Sequence, residues 1–329
     1  MRLMEEVRVG FVGTGGIAGY HLNYLAKMAD VRVVALYDVV EEKAQQVAER
    51  FRARAYPSLK ALFQEAEMDA VYICIPPFAH GEPEWLALER GLPMYVEKPV
   101  HLNLEEARRI ARAIEEKGLI SSVGYQTRYA DVVDRLRTYL APKQVGMVWG
   151  YWMGGMPGTP WWRRKEQSGG QIVEQTTHLF DIARLLFGEV EKVWAIARTG
   201  LMTDVPDYDV EDTSAVHLRF RSGLIGTFFS ACFLRAGGRV GMTIFCKDAV
   251  VEYQHGKAMK AVERNATLEA QVGNDFGFEA NRTFIEAVKS GDGSRIRSPY
   301  PDAVKTLAVT LAANESIRRG GEPVEVPAV

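Results

Sequence analysis

Apolar runs and helical repeats alternate along the first third of the chain. Continuous apolar stretches at Val7–Val12, Val31–Tyr37, 69–75, Met94–Val96 and 119–124, with a weaker one at 53–56, predict strands. Helical patterns such as Glu41–Phe51 and Leu104–Lys117 lie between them, and Asn103 followed by Glu106 reads as a capping box for the second. Strands apolar at consecutive positions are buried on both faces, which predicts a parallel, doubly wound sheet of the Rossmann type. Beyond residue 126 the period changes. Val216, Leu218 and Phe220 alternate with Ala215, His217 and Arg219, and Arg221-Ser222-Gly223 turns the chain into 224–233. Segments 240–246 and 249–253 flank Lys247-Asp248 in the same way. Alternation of this kind predicts hairpins in an α+β domain: a large open, mainly antiparallel, mixed sheet with helices on one face. The other face needs a cover, and self-association is the simplest one. An α/β chain of two domains follows, 1–125 and 126–329.

Composition narrows the function without naming it. The 329 residues are 47% hydrophobic and 25% charged, with 40 basic against 42 acidic side chains and a net charge of −2. Such a balance offers no broad attraction to nucleic acid or an anionic membrane. Cys74, Cys232 and Cys246 lack paired spacing and fit reduced core thiols better than disulfides or a zinc site. The first strand begins too early to leave space for a signal peptide, and no apolar run reaches the roughly 18 residues that span a bilayer. A cytoplasmic protein is expected.

The first strand leads into Gly13-Thr14-Gly15-Gly16-Ile17-Ala18, a G-x-G-x-x-A turn that opens a helix. Gly13 permits the tight turn, Gly15 lets the backbone approach a pyrophosphate, and small Ala18 lets helix and strand pack closely. The helix N-terminus offers N–H groups to the phosphates. Asp38, at the end of the second strand, can accept hydrogen bonds from the adenosine ribose and would repel a 2′-phosphate, favouring NAD over NADP; alternatively it caps the helix near Glu41. Ile75, Pro76, Pro77, His80, Glu97 and Gln126 are expected around the cofactor. His80 reads equally as a helix-start hydrogen-bonder. Lys98, in Glu97-Lys98-Pro99 at the end of the apolar run 93–96, falls where a nicotinamide would lie. Hydride transfer at an alcohol carbon needs a group to handle the hydroxyl proton, and a lysine beside an oxidised nicotinamide can do so.

A second cluster runs from Ser168-Gly169-Gly170 into a helix predicted over 171–187. Leu179, Ile182 and Leu186 form its core stripe, while Glu174, His178 and Asp181 share another side at i, i+4 and i+7. A carboxylate one turn before a histidine can orient the imidazole, although a helical histidine near acids is more often structural. One histidine without an HExxH pattern supports no metal site. Trp161-Trp162-Arg163-Arg164 could stack on and grip a sugar, or could pack a loop against the sheet. His101 reads as local to the Asn103 cap, and His217 and His255 as strand-face and turn residues.

Together these residues resemble the glucose–fructose oxidoreductase / inositol dehydrogenase / MocA (Gfo/Idh/MocA) oxidoreductases over essentially the whole chain. The resemblance rests on the Gly13–Ala18 turn with His21, on Glu97-Lys98-Pro99, on Gly169-Gly170 running into His178 and Asp181, and on Asp302-Ala303 and Ala312-Ala313-Asn314-Glu315-Ser316 near the end. It implies a Rossmann domain and a mixed-sheet domain, substrate between them, and oligomers (homodimer or homotetramer) through the open sheet. It also implies that Lys98 and His178 are the proton-handling pair. Many members carry Asp four residues before that histidine, where this chain has Glu174. Tyr125 to Tyr129 resembles the family's interdomain segment, so Gln126 and Arg128 are expected at the cleft, with Trp162, Arg163, Glu174, Lys98 and His178 on the substrate side. The expected activity is NAD-dependent hydride transfer at a secondary alcohol or ketone of a sugar, polyol or cyclitol. The alternatives are an NAD-retaining glycosidase-type reaction through transient oxidation, and a non-catalytic NAD-binding regulator.

Overall fold

The computed structural model describes residues 5–329. They form two compact units, and the division is not a single cut near residue 125. Residues up to Tyr129 with Asp275–Val304 make the first unit; Ala130–Asn274 with Lys305–Val329 make the second. The late return to the first unit has a packing cause. Phe284, Ile285 and Val288 join the same buried cluster as Val7, Val9, Phe11 and Tyr95, a pairing across some 280 positions that local periodicity cannot reveal.

In the first unit β1 (Val7–Val12), α1 (Gly16–Leu25), β2 (Val31–Tyr37), α2 (Glu41–Phe51), β3 (Arg54–Ala55), α3 (Leu59–Glu65), β4 (Ala70–Ile73), α4 (Glu82–Glu89), β5 (Met94–Val96), α5 (Leu104–Lys117) and β6 (Ser121–Val123) follow in order. All six strands are parallel, in the order β3-β2-β1-β4-β5-β6. The order reverses between β1 and β4, and in such sheets ligands bind at the strand ends beside that switch point. The stretches 69–75 and 119–124 are longer than the strands they contain, because their flanking residues lie outside the ladder. The capping box at α5 is half formed. Asn103 Oδ1 accepts from the Glu106 N–H at 3.1 Å, but the Glu106 carboxylate takes the Trp85 indole N–H while the Asn103 N–H donates to His101.

The second unit contains α6 (Asp131–Leu140), β7 (Val145–Met153), α7 (Lys165–Ser168), α8 (Gln171–Glu174), α9 (Thr177–Phe187), β8 (Val190–Arg198), β9 (Thr213–Phe220), β10 (Ile225–Ala231), β11 (Arg239–Cys246), β12 (Ala249–Gln254), β13 (Ala258–Glu263) and β14 (Thr267–Gln271). The chain then runs through α10 (Phe276–Ser290), α11 (Tyr300–Arg318) and β15 (Val324–Glu325). The sheet order is β14-β13-β12-β11-β7-β10-β9-β8-β15. Its pairs are antiparallel except β7 with β10, so the sheet is mixed. Alternation sorts its two faces. Val148, Val216, Leu218, Phe228, Met242, Ile244 and Val251 are buried, whereas Met147, Trp149, Ile196, Ile225, Phe229 and Val250 are exposed.

Candidate active site

β1 ends in a turn that only glycine can make. Gly13 has φ +89°, and a Cβ there would lie 2.3 Å from the Cys74 carbonyl oxygen. Gly15 and Gly16 are exposed, and a Cβ on either would meet nothing within 4 Å. Open space therefore lies over the first turn of α1, whose N-cap residue Gly15 supplies no side-chain cap. Uncapped N–H groups beside glycines suit a pyrophosphate. Ala18 is fully buried behind them, while Ile17 is partly exposed. Asp38 is not the N-cap of α2, a position held by Val40. Its Oδ2 accepts from the Thr14 N–H at 2.8 Å and hydroxyl at 2.9 Å, and its Oδ1 from the Val40 N–H at 2.9 Å. It ties the glycine turn to the end of β2 and remains half-buried at the strand terminus.

The segment after β4 leaves Ile75 and Pro76 half-buried and Pro77 buried at the start of a short turn over Pro77–Ala79. His80 precedes α4 rather than opening it. Its Nδ1 lies 2.5 Å from Glu84 Oε1, and Glu84 Oε2 accepts from the Gly81 N–H at 2.7 Å. Both side chains are fully buried. Glu97 and Gln126 are buried as well. Gln126 Nε2 donates to Glu97 Oε1 at 3.0 Å, and the Lys98 N–H to Glu97 Oε2 at 3.1 Å. Both side chains thus hold the end of β5, with Lys98 half-buried beside them. Arg128 is 4% exposed. Its guanidinium pairs with Asp302 at 2.7 Å and donates to the Arg297 carbonyl at 2.6 Å, which makes it a clamp between two segments of the first unit.

In the second unit the helix expected over 171–187 is broken. α8 stops at Glu174 and α9 starts at Thr177, and the Thr176 hydroxyl between them meets Ser230 of β10 at 2.8 Å. Glu174 therefore ends one helix and His178 lies in the first turn of the next. Glu174 turns inward, its Oε2 accepting the Trp162 indole N–H at 2.7 Å. Trp162 is 0% exposed, in a core cluster with Val210 and Cys232. The expectation that it contacts substrate is therefore corrected, since an enclosed indole has no face to offer. Arg163 is half-buried next to it, its carbonyl accepting the Asp209 N–H. Asp181 is 1% exposed and accepts from the Thr306 hydroxyl of α11 at 3.1 Å.

His178 instead lies among rings. Its imidazole stacks on Trp152 of β7 at 5.8 Å between centroids with an 18° interplanar angle, and stands 5.8 Å from His255 at the end of β12. Burial pushes the His255 imidazole down to about 4, so it is neutral at pH 7. On the exposed face of the sheet an open depression of about 980 Å³ lies among Trp149, Tyr151, Phe229 and Arg239, with Trp152 and His255 at its margin. Sequence reasoning missed both. Trp152 lies on β7 and His255 in the turn after β12, both more than 20 residues from His178, and only the sheet brings them to it. Among the described residues no group of three His, Cys, Asp or Glu could hold a metal ion, and no helix is long and apolar enough to cross a membrane.

The chain matches known proteins in both sequence and fold. The family described as "Oxidoreductase family, NAD-binding Rossmann fold" (GFO_IDH_MocA) matches residues 7–125, and the "GFO/IDH/MocA C-terminal domain" matches residues 141–252. The chain belongs to the Gfo/Idh/MocA oxidoreductases. It is 27% identical to myo-inositol 2-dehydrogenase of Thermotoga maritima, covering 94% of this chain and 96% of the relative. It is 28% identical to scyllo-inositol 2-dehydrogenase (NAD(+)) of Bacillus subtilis, covering 96% and 95%. In fold it matches levoglucosan dehydrogenase in complex with NADH and levoglucosan, with TM-score 0.87 at 18% identity over 98% of this chain and 100% of the other. NAD is the cofactor of this oxidoreductase, and the uncapped glycine turn fits it.

Proposed function

We propose that the protein is a dehydrogenase that oxidises a secondary alcohol of a sugar, polyol or cyclitol, or reduces the corresponding ketone. The observation that carries the reading is the coexistence of a family-matched NAD cradle ending in Lys98 with a half-buried imidazole, His178, in the family-matched second domain. The inositol dehydrogenases among its relatives, aligned over nearly the full length, support a cyclic polyol. Gly13, Thr14, Gly15, Gly16, Ile17 and Ala18 would hold the pyrophosphate, Asp38 the adenosine ribose, and Ile75, Pro76 and Pro77 the neighbouring crevice. NAD supplies the hydride acceptor. Lys98 Nζ hydrogen-bonds the substrate hydroxyl oxygen, and His178 accepts the hydroxyl proton as the C–H bond breaks. The flat face of Trp152 and the neutral ring of His255 suit an apolar sugar face. Glu174 acts through Trp162 and the α8–α9 break, so it places His178 rather than touching substrate. Arg128 has the same supporting character, and Arg163 is assigned to the substrate side.

The exposed face of the nine-stranded sheet, with Trp149, Phe229, Ile225 and Ile196, supports assembly into a homodimer or homotetramer. Apolar area of that kind is seldom left open on a monomer. Following NADH absorbance over a panel of inositols, sugars and diols, with NAD and with NADP, tests the reading. Turnover of at least one cyclic polyol with NAD is expected. No turnover across the panel in either direction would remove the assignment.

A further inference from the structure

His21 on α1 is fully buried and hydrogen-bonded at both ring nitrogens. Nδ1 lies 2.8 Å from Asn281 Oδ1, and Nε2 lies 2.9 Å from Glu97 Oε1. The amide orientation of Asn281 is fixed independently, because its Nδ2 donates to the Gly277 carbonyl at 2.8 Å. Oδ1 is therefore an acceptor, and His21 Nδ1 must carry a proton. A neutral imidazole protonated at Nδ1 has a lone pair at Nε2, facing a carboxylate oxygen that can also only accept. Two acceptors at 2.9 Å in a closed interior repel, and an uncompensated carboxylate there costs several kcal/mol.

We infer that His21 and Glu97 share one proton between Nε2 and Oε1, and that this neutral pair fixes the backbone from which Lys98 projects. Written as imidazolium and carboxylate or as imidazole and carboxylic acid, the pair has the same proton count and no net charge. Burial holds Tyr72, Tyr95 and Cys74 neutral around it, so none of the three adds a charge to the pair. The second carboxylate oxygen takes the Lys98 N–H, and Gln126 fills the remaining site on Oε1. Gly124 leaves the room required: a Cβ there would come within 2.3 Å of Glu97 Oε1. The chain His21–Glu97–Lys98 thus runs from α1, the helix that opens the cofactor cradle, to the proposed proton-handling residue. His21 is a positioning residue, and its effect on turnover rests on the role given to Lys98 above.

Two measurements on the full chain test this. The proton spectrum in water should contain an exchange-protected resonance well downfield of the amides, lost in both His21→Gln and Glu97→Gln. A wild-type spectrum without it at neutral pH would overturn the shared proton, whatever the protein's reaction. With a polyol that turns over, His21→Leu should lower kcat about tenfold or more, the order that slight misplacement of a reacting group costs. NAD affinity, read by NADH fluorescence titration, should change by less than about threefold, the split that marks lost transition-state rather than ground-state binding. His21→Gln keeps one donor towards Glu97, so it should fold even if His21→Leu does not, with kcat between wild type and His21→Leu. A folded His21→Leu or His21→Gln with wild-type kcat and only a lower melting temperature would overturn the positioning role. If no polyol is turned over, the dehydrogenase reading falls while the resonance still decides the shared proton.

Discussion

His21 in the first unit and His178 in the second are both helical histidines, yet their surroundings differ in kind. His21 is enclosed, with the Asn281 amide oxygen at one ring nitrogen and the Glu97 carboxylate at the other. His178 is half-buried, with an indole face on one side and a neutral imidazole nearby. A carboxylate contact anchors the first ring inside the core, whereas the second is stacked on a neighbouring indole. The first arrangement suits support and the second suits a group that must take up and release a proton. Helix position and histidine identity alone do not distinguish them.

The contrast can be broken at several points, beginning with the largest effect. Replacing His178 with Ala, or Lys98 with Met, should lower kcat by about 100-fold to 10,000-fold, the usual worth of a positioned acid or base, with NAD affinity retained. Near-normal rates in both variants would end the assignment of those roles. Glu174→Leu leaves the Trp162 indole N–H buried without its acceptor, which should cost about 1–3 kcal/mol in urea unfolding; an unchanged midpoint would show that this hydrogen bond is replaceable. Trp152→Ala removes the ring stacked on His178. It should raise KM about fivefold, in line with the ~1 kcal/mol that an aromatic face contributes, and kcat should fall less.

The smallest effect lies in pH dependence. His255 is held neutral when folded, with its titration moved from 6.5 down to about 4, while the unfolded chain still protonates near 6.5. Between those values the unfolded state binds more protons, so stability is undiminished above pH 6.5 and falls as the pH drops towards 4. His255→Phe should flatten that part of the melting-temperature profile. An identical slope in the variant would show that the imidazole is solvated and not desolvated by its neighbours.

How far the chain could be read depended on the range of each interaction. The glycine turn was legible because Gly13, Gly15 and Ala18 act within a few residues, and Asp38 at the next strand end meets Thr14 across one parallel pairing. The helix 171–187 carried a continuous apolar stripe, but Thr176 found Ser230 on a strand 54 positions later, and that hydroxyl pair broke it. Trp162 looked like a binding aromatic because its acceptor, Glu174, became visible only when the break turned the carboxylate inward. His255 read as a turn residue and lies in the turn after β12, but nothing local tells that this turn comes close to Trp152 of β7.

The amino-acid order by itself determined the parallel first sheet, the cofactor turn, the two-period texture and the identity of Lys98 and His178 as candidates, since each depends on residue type and short spacing. Tertiary structure decided which charged and aromatic side chains face a site and which are spent inside. That choice separates His21 from His178 and Trp162 from Trp152. The reason is physical: burial and hydrogen-bond partnership are set by segments tens to hundreds of residues apart, such as Asn281 against His21, and no periodicity within either segment encodes their meeting.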